Sequence, residues 1–312
     1  MGKKLTILIC TCDKYKDLWD PFFILFNKFG GDLRKLPIVI NTESEKYKFN
    51  NLNIVCSNNY KNPEEVAWGK CLKSTIEHIT TDYILFLLDD FFVKRAVTNE
   101  DYNKIIDCVR YMEEDASIGG MSLVPLYIKD NGKEFRDFYL VNPGTPYRLN
   151  AQACVWRKET LYNSLIDIES PWEWELYGNI RNDILIKEKI YVLKDGKREP
   201  ICYGYSDYGQ RGESGIYAPR FGVMKGKWYL PSVKKLFEEN GIFVDYSIRG
   251  AYKEGFKTQV KRNRLLRNLI VCPYRKIRNV LNPDMVKLME EKNQKERELN
   301  MERLVLPYVY MR

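Results

Sequence analysis

The run Tyr83-Ile-Leu-Phe-Leu-Leu-Asp-Asp-Phe-Phe-Val93 constrains the fold more than any other stretch of the chain. Six uncharged residues lead straight into Asp89 and Asp90, and three apolar residues follow. Opened by Thr80-Thr81-Asp82, such a run reads as a strand buried on both faces of a sheet. Two carboxylates at the end of that strand are costly to bury unless a cation meets them. In open α/β sheets the carboxyl ends of strands are where ligands bind. A divalent metal carrying a diphosphate suits two hard oxygen ligands there. The plainer alternative is a strand ending in two solvated aspartates, or one aspartate capping a turn.

The flanking sequence alternates in the same sense. Leu5–Cys10 is a buried strand, followed by the loop Thr11-Cys-Asp-Lys-Tyr15. From Asp17 to Phe29, Leu18, Phe22, Leu25 and Phe26 recur at helical spacing, with Gly30-Gly31 as a stop. Pro37–Ile40 and Leu52–Cys56 are short strands. Pro63 to Ile79 is a helix with Pro in its first turn and Glu64 and Glu65 complementing its dipole. Strand, helix, strand, strand, helix, strand predicts an α/β, Rossmann-like and mostly parallel central sheet with helices on both faces. Asn99 to Glu114 is a further helix with Asn99 as its N-cap. Beyond Gly119 the pattern turns to short strands at Gly120–Val124, Phe138–Val141 and Gln152–Trp156. Pro231 to Asn240 and Lys287 to Arg303 are helical.

Composition removes whole classes of chemistry. The 312 residues are 45% hydrophobic and 13% aromatic, enough for a sizeable core. One histidine, His78, is too few for Ser-His-Asp, Cys-His or His-rich metal chemistry. The eight cysteines are scattered without a CxxC pair and read as reduced, buried small hydrophobes. Acid–base work therefore falls to carboxylates, tyrosines or lysines. No stretch nears the ~18–20 apolar residues of a membrane span, and the N-terminal apolar run is too short for a signal peptide. A cytoplasmic protein is expected.

The net charge of +8 is concentrated between residues 256 and 280. Lys257, Lys261, Arg262, Arg264, Arg267, Arg275, Lys276 and Arg278 lie there with no acid, interleaved with Leu265, Leu266, Leu269, Ile270, Ile277 and Val280. This basic, partly amphipathic segment suits an anionic membrane surface, at the inner face of the cell membrane, or an anionic lipid-linked substrate. A solvated basic helix docked on the domain is the alternative. No nucleic-acid motif accompanies it.

Several motifs occur in the order seen in GT-A glycosyltransferases. They are a first strand ending in Thr11-Cys12-Asp13, a helix carrying Trp68, and Asp82-Tyr-Ile-Leu-Phe-Leu-Leu-Asp-Asp90. Asn150-Ala-Gln-Ala-Cys-Val-Trp156 and Pro171-Trp-Glu-Trp-Glu175 follow. Over roughly residues 4 to 230 the chain resembles bacterial enzymes of capsule, O-antigen or other surface-glycan assembly near the inverting family 2. The implied division is a catalytic domain over 1–255, with a nucleotide-binding half at 1–98 and an acceptor-binding half at 99–255. A basic helical extension over 256–312 completes it.

The resemblance implies roles residue by residue. Thr11, Cys12, Asp13 and Trp68 would receive the nucleotide, with Asp89 contributing. Asp89 and Asp90 would hold Mn²⁺ or Mg²⁺ against the diphosphate of a nucleotide-sugar donor, expected to be UDP-linked. Phe91 stands where a third-position aspartate would complete the usual Asp-x-Asp. An inverting transfer needs a base for the acceptor hydroxyl, and Glu175, with Glu173 second, is the candidate. Two apart on a helix, these glutamates lie about 200° from each other and cannot both face one site. Acids in a first turn behind Ser170 also have a purely stabilising role. Trp172, Trp174, Asn150 and Gln152 would bind a saccharide or lipid-linked saccharide acceptor. Arg211, Arg220 and Lys227, in a Gly-rich basic region, would close over the diphosphate; a plain surface loop is the alternative. Two other readings remain, a nucleotidyltransferase and a non-catalytic carbohydrate- or membrane-binding scaffold. The loop after the first strand lacks the glycines the former needs.

Overall fold

The computed structural model describes residues 4–125, 132–185, 187–201, 222–253 and 283–307. Nine strands form one sheet in the order β3-β2-β1-β4-β8-β5-β9-β7-β6. They are β1 (Leu5–Cys10), β2 (Ile38–Asn41), β3 (Ile54–Cys56), β4 (Tyr83–Leu88), β5 (Ile118–Ser122), β6 (Glu134–Phe135), β7 (Phe138–Val141), β8 (Cys154–Arg157) and β9 (Lys189–Leu193). The first four strands and β5 with β9 pair in parallel; β8 and β7 run against their neighbours. The sheet is therefore mixed, with seven of its nine strands pointing the same way.

The continuous apolar runs fold as they do because both faces are covered. Ile7 and Ile9 of β1 and Leu85 and Leu87 of β4 face one core, shared with α1 (Trp19–Phe29) and α3 (Asn99–Glu114). Leu8, Ile84 and Phe86 face the other, with α2 (Trp68–Glu77) and α4 (Lys158–Ser164). Each fully buried aliphatic or aromatic side chain there contributes on the order of 1.5–3 kcal/mol. Among the described residues no helix is long and apolar enough to cross a membrane.

Local boundaries differ from expectation where caps compete. Thr98, not Asn99, caps α3: its hydroxyl accepts from Asp101 N while Asp101 Oδ2 accepts from Thr98 N at 3.0 Å. A reciprocal box uses two otherwise orphaned amides, which a lone Asn99 would not. The segment after β1 begins as a 3₁₀ turn (Asp13–Leu18) before α1, and the Pro63 turn (Pro63–Glu65) stands apart from α2. The strand β9 was not anticipated, although Ile190-Tyr-Val-Leu193 is a short apolar run rich in β-formers.

The placement of β8 decides where the site lies. Cys154 pairs with Phe86 of β4 on one side and Ser122 of β5 on the other. Being antiparallel, β8 begins where β4 and β5 end. Residues 150–153 are thus delivered to the same sheet edge as Asp89 and Asp90. The basic stretch 256–280 lies outside the described residues. The C-terminal helix Pro283–Leu304 follows it.

Candidate active site

The carboxyl ends of β1, β2 and β4 converge on a buried polar cluster. Asp89 is 4% exposed, and its Oδ2 accepts from the Thr11 hydroxyl. That hydroxyl in turn accepts from Trp19 Nε1 at 2.9 Å, so α1 fixes Thr11 and Thr11 fixes Asp89. Burial pushes the Asp89 carboxyl well above the usual range, and the charge of Asp90 adds to the push. Half-buried Asp90 is raised by burial to about 7. Its backbone carbonyl accepts from Gly222 N at 2.6 Å. A side chain at Gly222 would collide with Phe92, its Cβ only 2.2 Å from that ring.

Among the described residues Arg249, which sequence reasoning passed over, supplies the positive charge that acts on this pair. Its guanidinium lies 4.2 Å from the Tyr15 ring centroid, pairs with Asp17, and donates to the Lys14 carbonyl at 2.9 Å. From there it lowers the pKa of both Asp89 and Asp90 without contacting either. Among the described residues neither aspartate forms an ion pair.

Asp13 is occupied. Its carboxylate accepts from Glu43 N (2.9 Å), Ser44 N (2.9 Å), Ser44 Oγ (2.7 Å) and Glu45 N (3.2 Å), which ties the loop after β2 to the end of β1. Glu43 returns the bond, accepting from Asp13 N at 2.5 Å through Oε2. Burial raises Glu43 to about 7. Glu43, half-buried beside Asp13, is a further acid at this end of the sheet that sequence reasoning passed over. The acid directly after a second strand was the only signal available. Cys12 is half-buried, and burial, Glu43 and Asp89 hold its thiol at about 12, a protonated and unreactive group.

Across the edge stands the segment carrying Glu175. Ser170 caps its start in a box with Glu173, as the sequence suggested. After Pro171–Glu173 the chain widens into a π turn (Trp174–Gly178) and then continues as a short helix (Asn179–Leu185). Single π turns of this kind recur at functional sites. Glu175 Oε1 accepts from Ala151 N at 2.8 Å, and burial raises the carboxyl. Trp174 is fully buried, donates to Ser164 Oγ at 3.0 Å, and packs 5.9 Å from Trp68. Trp68 donates to Cys10 Sγ at 3.3 Å and so joins the end of β1 to the Glu175 segment. Gly69 permits this, because a Cβ there would stand 2.0 Å from the Ile166 carbonyl oxygen.

The other expected residues divide. Glu173 is spent on Ser170 N (2.8 Å) and on an ion pair with Arg303. Trp174 is core, whereas Trp172 is 75% exposed. Asn150 turns inward to accept from Gln152 N at 3.0 Å and holds the turn before β8. Lys227 is exposed beside buried Trp228. Arg211 and Arg220 lie outside the described residues. Among the described residues no group of three or more His, Cys, Asp or Glu side chains could hold a metal. The two adjacent carboxylates, one buried and one half-buried, have no ion-pair partner among the described residues.

No family model matches the chain, and no curated protein matches it. Solved structures do. TarS 1–349 of S. aureus in complex with UDP-GlcNAc is similar at 15% identity and TM-score 0.39, over 63% of this chain and 59% of that one. The mannosyltransferase PcManGT of Pyrobaculum calidifontis, in complex with GDP-Man and Mn²⁺, is similar at 10% identity and TM-score 0.39, over 64% and 59%. An active-site mutant of LgtC is similar at 11% identity and TM-score 0.39, over 81% and 99%. The match thus spans 59% of the length of each of the first two.

Proposed function

We propose that this chain is a GT-A glycosyltransferase that moves a sugar from a nucleotide-sugar donor to a saccharide or lipid-linked saccharide. The observation that carries the reading is the Asp89–Asp90 pair at the end of β4, buried and half-buried and without an ion-pair partner among the described residues, on the sheet edge that also receives Glu175. In this reading Asp89 and Asp90 hold a divalent cation, Mn²⁺ or Mg²⁺, which when bound would neutralise the leaving diphosphate. In the same reading the donor's nucleoside lies over Thr11, Cys12 and the Asp13–Glu43 corner. A UDP-linked hexose is the proposed donor.

Glu175 is the proposed base of an inverting transfer. The acceptor oxygen attacks the anomeric carbon, its proton passes to Glu175, and the carbon–oxygen bond to the diphosphate breaks with its electron pair. Burial suits Glu175 to this task, since a raised pKa strengthens a carboxylate as a base near neutral pH. Exposed Trp172 offers a face on which an acceptor sugar can stack. Lys227, with Arg211 and Arg220, is assigned to the diphosphate, and residues 256–280 to an anionic membrane surface in bacterial surface-glycan synthesis.

Calorimetric titration of UDP, GDP and CDP, with and without Mn²⁺, tests the reading on the wild type and Asp90→Asn. Metal-dependent binding of one nucleotide, lost in the variant, is expected. Absence of binding by all three would overturn it and leave the binding-scaffold reading.

A further inference from the structure

The C-terminal helix Pro283–Leu304 is polar all round through its middle. Residues 290–299 are exposed, and pairs such as Gln294 Nε2 to Glu298 Oε1 (2.8 Å) support it along its own surface. Its last turns behave differently. Leu304 and Val305 are buried, and three polar contacts join this end to the segment bearing Glu175. Arg303 pairs with Glu173, two residues before Glu175. Asn300 Nδ2 donates to the Tyr177 hydroxyl at 3.1 Å, two residues after it. Arg181 Nη1 donates to the Leu304 carbonyl at 2.9 Å.

Arg181 is the deepest of these anchors. It is 1% exposed and faces Glu169, itself 0% exposed, across 2.9 Å, while also donating to the Ser164 carbonyl at 2.8 Å. A cation at a helix C-terminus answers the orphaned carbonyls and the negative end of the dipole. The π turn is wider and less regular than an α-helix, so its register depends on what holds its ends. Here both ends are held by one helix from more than a hundred residues away in sequence.

We propose that the C-terminal helix is a positioning device for Glu175: Arg303, Asn300 and the Leu304 carbonyl clamp the π turn and thereby fix the carboxylate against Ala151. The proposal rests on the assignment of Glu175 as base, but its first readout does not require transfer activity. Burial raises the Glu175 carboxyl and the smaller pull of the Ala151 amide lowers it, so loosening the turn, which admits water, moves its pKa down on balance.

The test is the double substitution Asn300→Ala/Arg303→Ala in the full chain, at the exposed rim of the contact, with Arg303→Lys as the conservative control. Hydrogen exchange is followed at Ala151 and across 174–182. The expected result is faster exchange at those sites in the double variant, with the strands β1 and β4 unchanged. In transfer assays kcat falls about tenfold to a hundredfold with the donor KM unchanged. The acid limb of its pH profile moves to lower pH, and Arg303→Lys restores both. Unaltered exchange at Ala151 overturns the clamp whatever the activity. Faster exchange with an unmoved acid limb overturns its connection to Glu175. Faster exchange in a protein whose wild type binds no nucleotide would leave the clamp standing and remove the transferase reading instead.

Discussion

Ala151 N donates to Glu175 Oε1 at 2.8 Å, across a separation of twenty-four residues. One partner introduces β8, whose register against β4 is fixed by Phe86 and Cys154; the other sits in the π turn. The bond therefore ties the candidate base to the strand that ends in Asp89 and Asp90. Among the described residues it is also the hydrogen bond that stabilises the ionised form of Glu175 against burial.

Replacing that base should separate chemistry from binding. Glu175→Gln keeps a side-chain carbonyl for Ala151 but cannot take a proton, so kcat should fall about 10²–10⁴-fold with nucleotide affinity unchanged. Glu173→Gln should cost far less activity, since its carboxylate serves Ser170 and Arg303. Steady-state kinetics beside calorimetry on both variants check the contrast, and equal losses would reverse the assignment.

Thr11→Val tests the hinge between α1 and Asp89. The substitution removes a donor from a buried carboxylate and an acceptor from Trp19 Nε1 together. A loss of about 1–3 kcal/mol in denaturant unfolding is expected, with Thr11→Ser close to wild type. Metal-dependent nucleotide binding should weaken in parallel, because Asp89 loses the contact that orients it.

The aspartate pair should also leave a signature in the pH dependence of stability. Asp90 titrates at about 7 in the folded chain, far above an unfolded aspartate. Between the two values the folded state holds the extra proton, so the Asp90 contribution to stability falls as pH rises from about 4 to 7. Asp90→Asn should flatten that slope. Mn²⁺ should raise the melting temperature at pH 8 much more than at pH 5.5, and the variant should lose the difference. Thermal scans at both pH values decide it.

Arg181→Met should be among the most damaging single changes. It strands the Glu169 carboxylate in the core with only the Ile166 amide, 2.8 Å away, to answer it. A cost of about 3–5 kcal/mol follows from leaving one member of a buried pair uncompensated. Chemical denaturation measures it, and a change below 1 kcal/mol would mean that water reaches Glu169.

Much of this was legible along the chain, for local reasons. Leu5–Cys10 and Tyr83–Leu88 are strands because every residue in them is apolar or nearly so, and their central positions meet helices on both faces. Ser170, Pro171 and Glu173 spell a helix start within four residues, and the capping box formed. The 200° separation of Glu173 and Glu175 held in its consequence: the first turns to Arg303 and the second to Ala151. Asp13, expected at the nucleotide, is spent by the structure on the loop at Glu43–Glu45.

By itself, then, the sequence determined the parallel half of the sheet, the carboxylate pair at its edge and the helices that cover it, because hydrophobic period and capping chemistry act between residues close in the chain. Tertiary structure alone decided that β8 runs backwards between β4 and β5, that Asp13 is spent on the loop after β2 with Glu43 beside it, and that the C-terminal helix seats on the Glu175 segment. It also brought Arg249 to Asp17 across 232 residues. Such contacts depend on which buried charges find partners once the chain has collapsed, and they leave no periodic trace in the sequence that makes them.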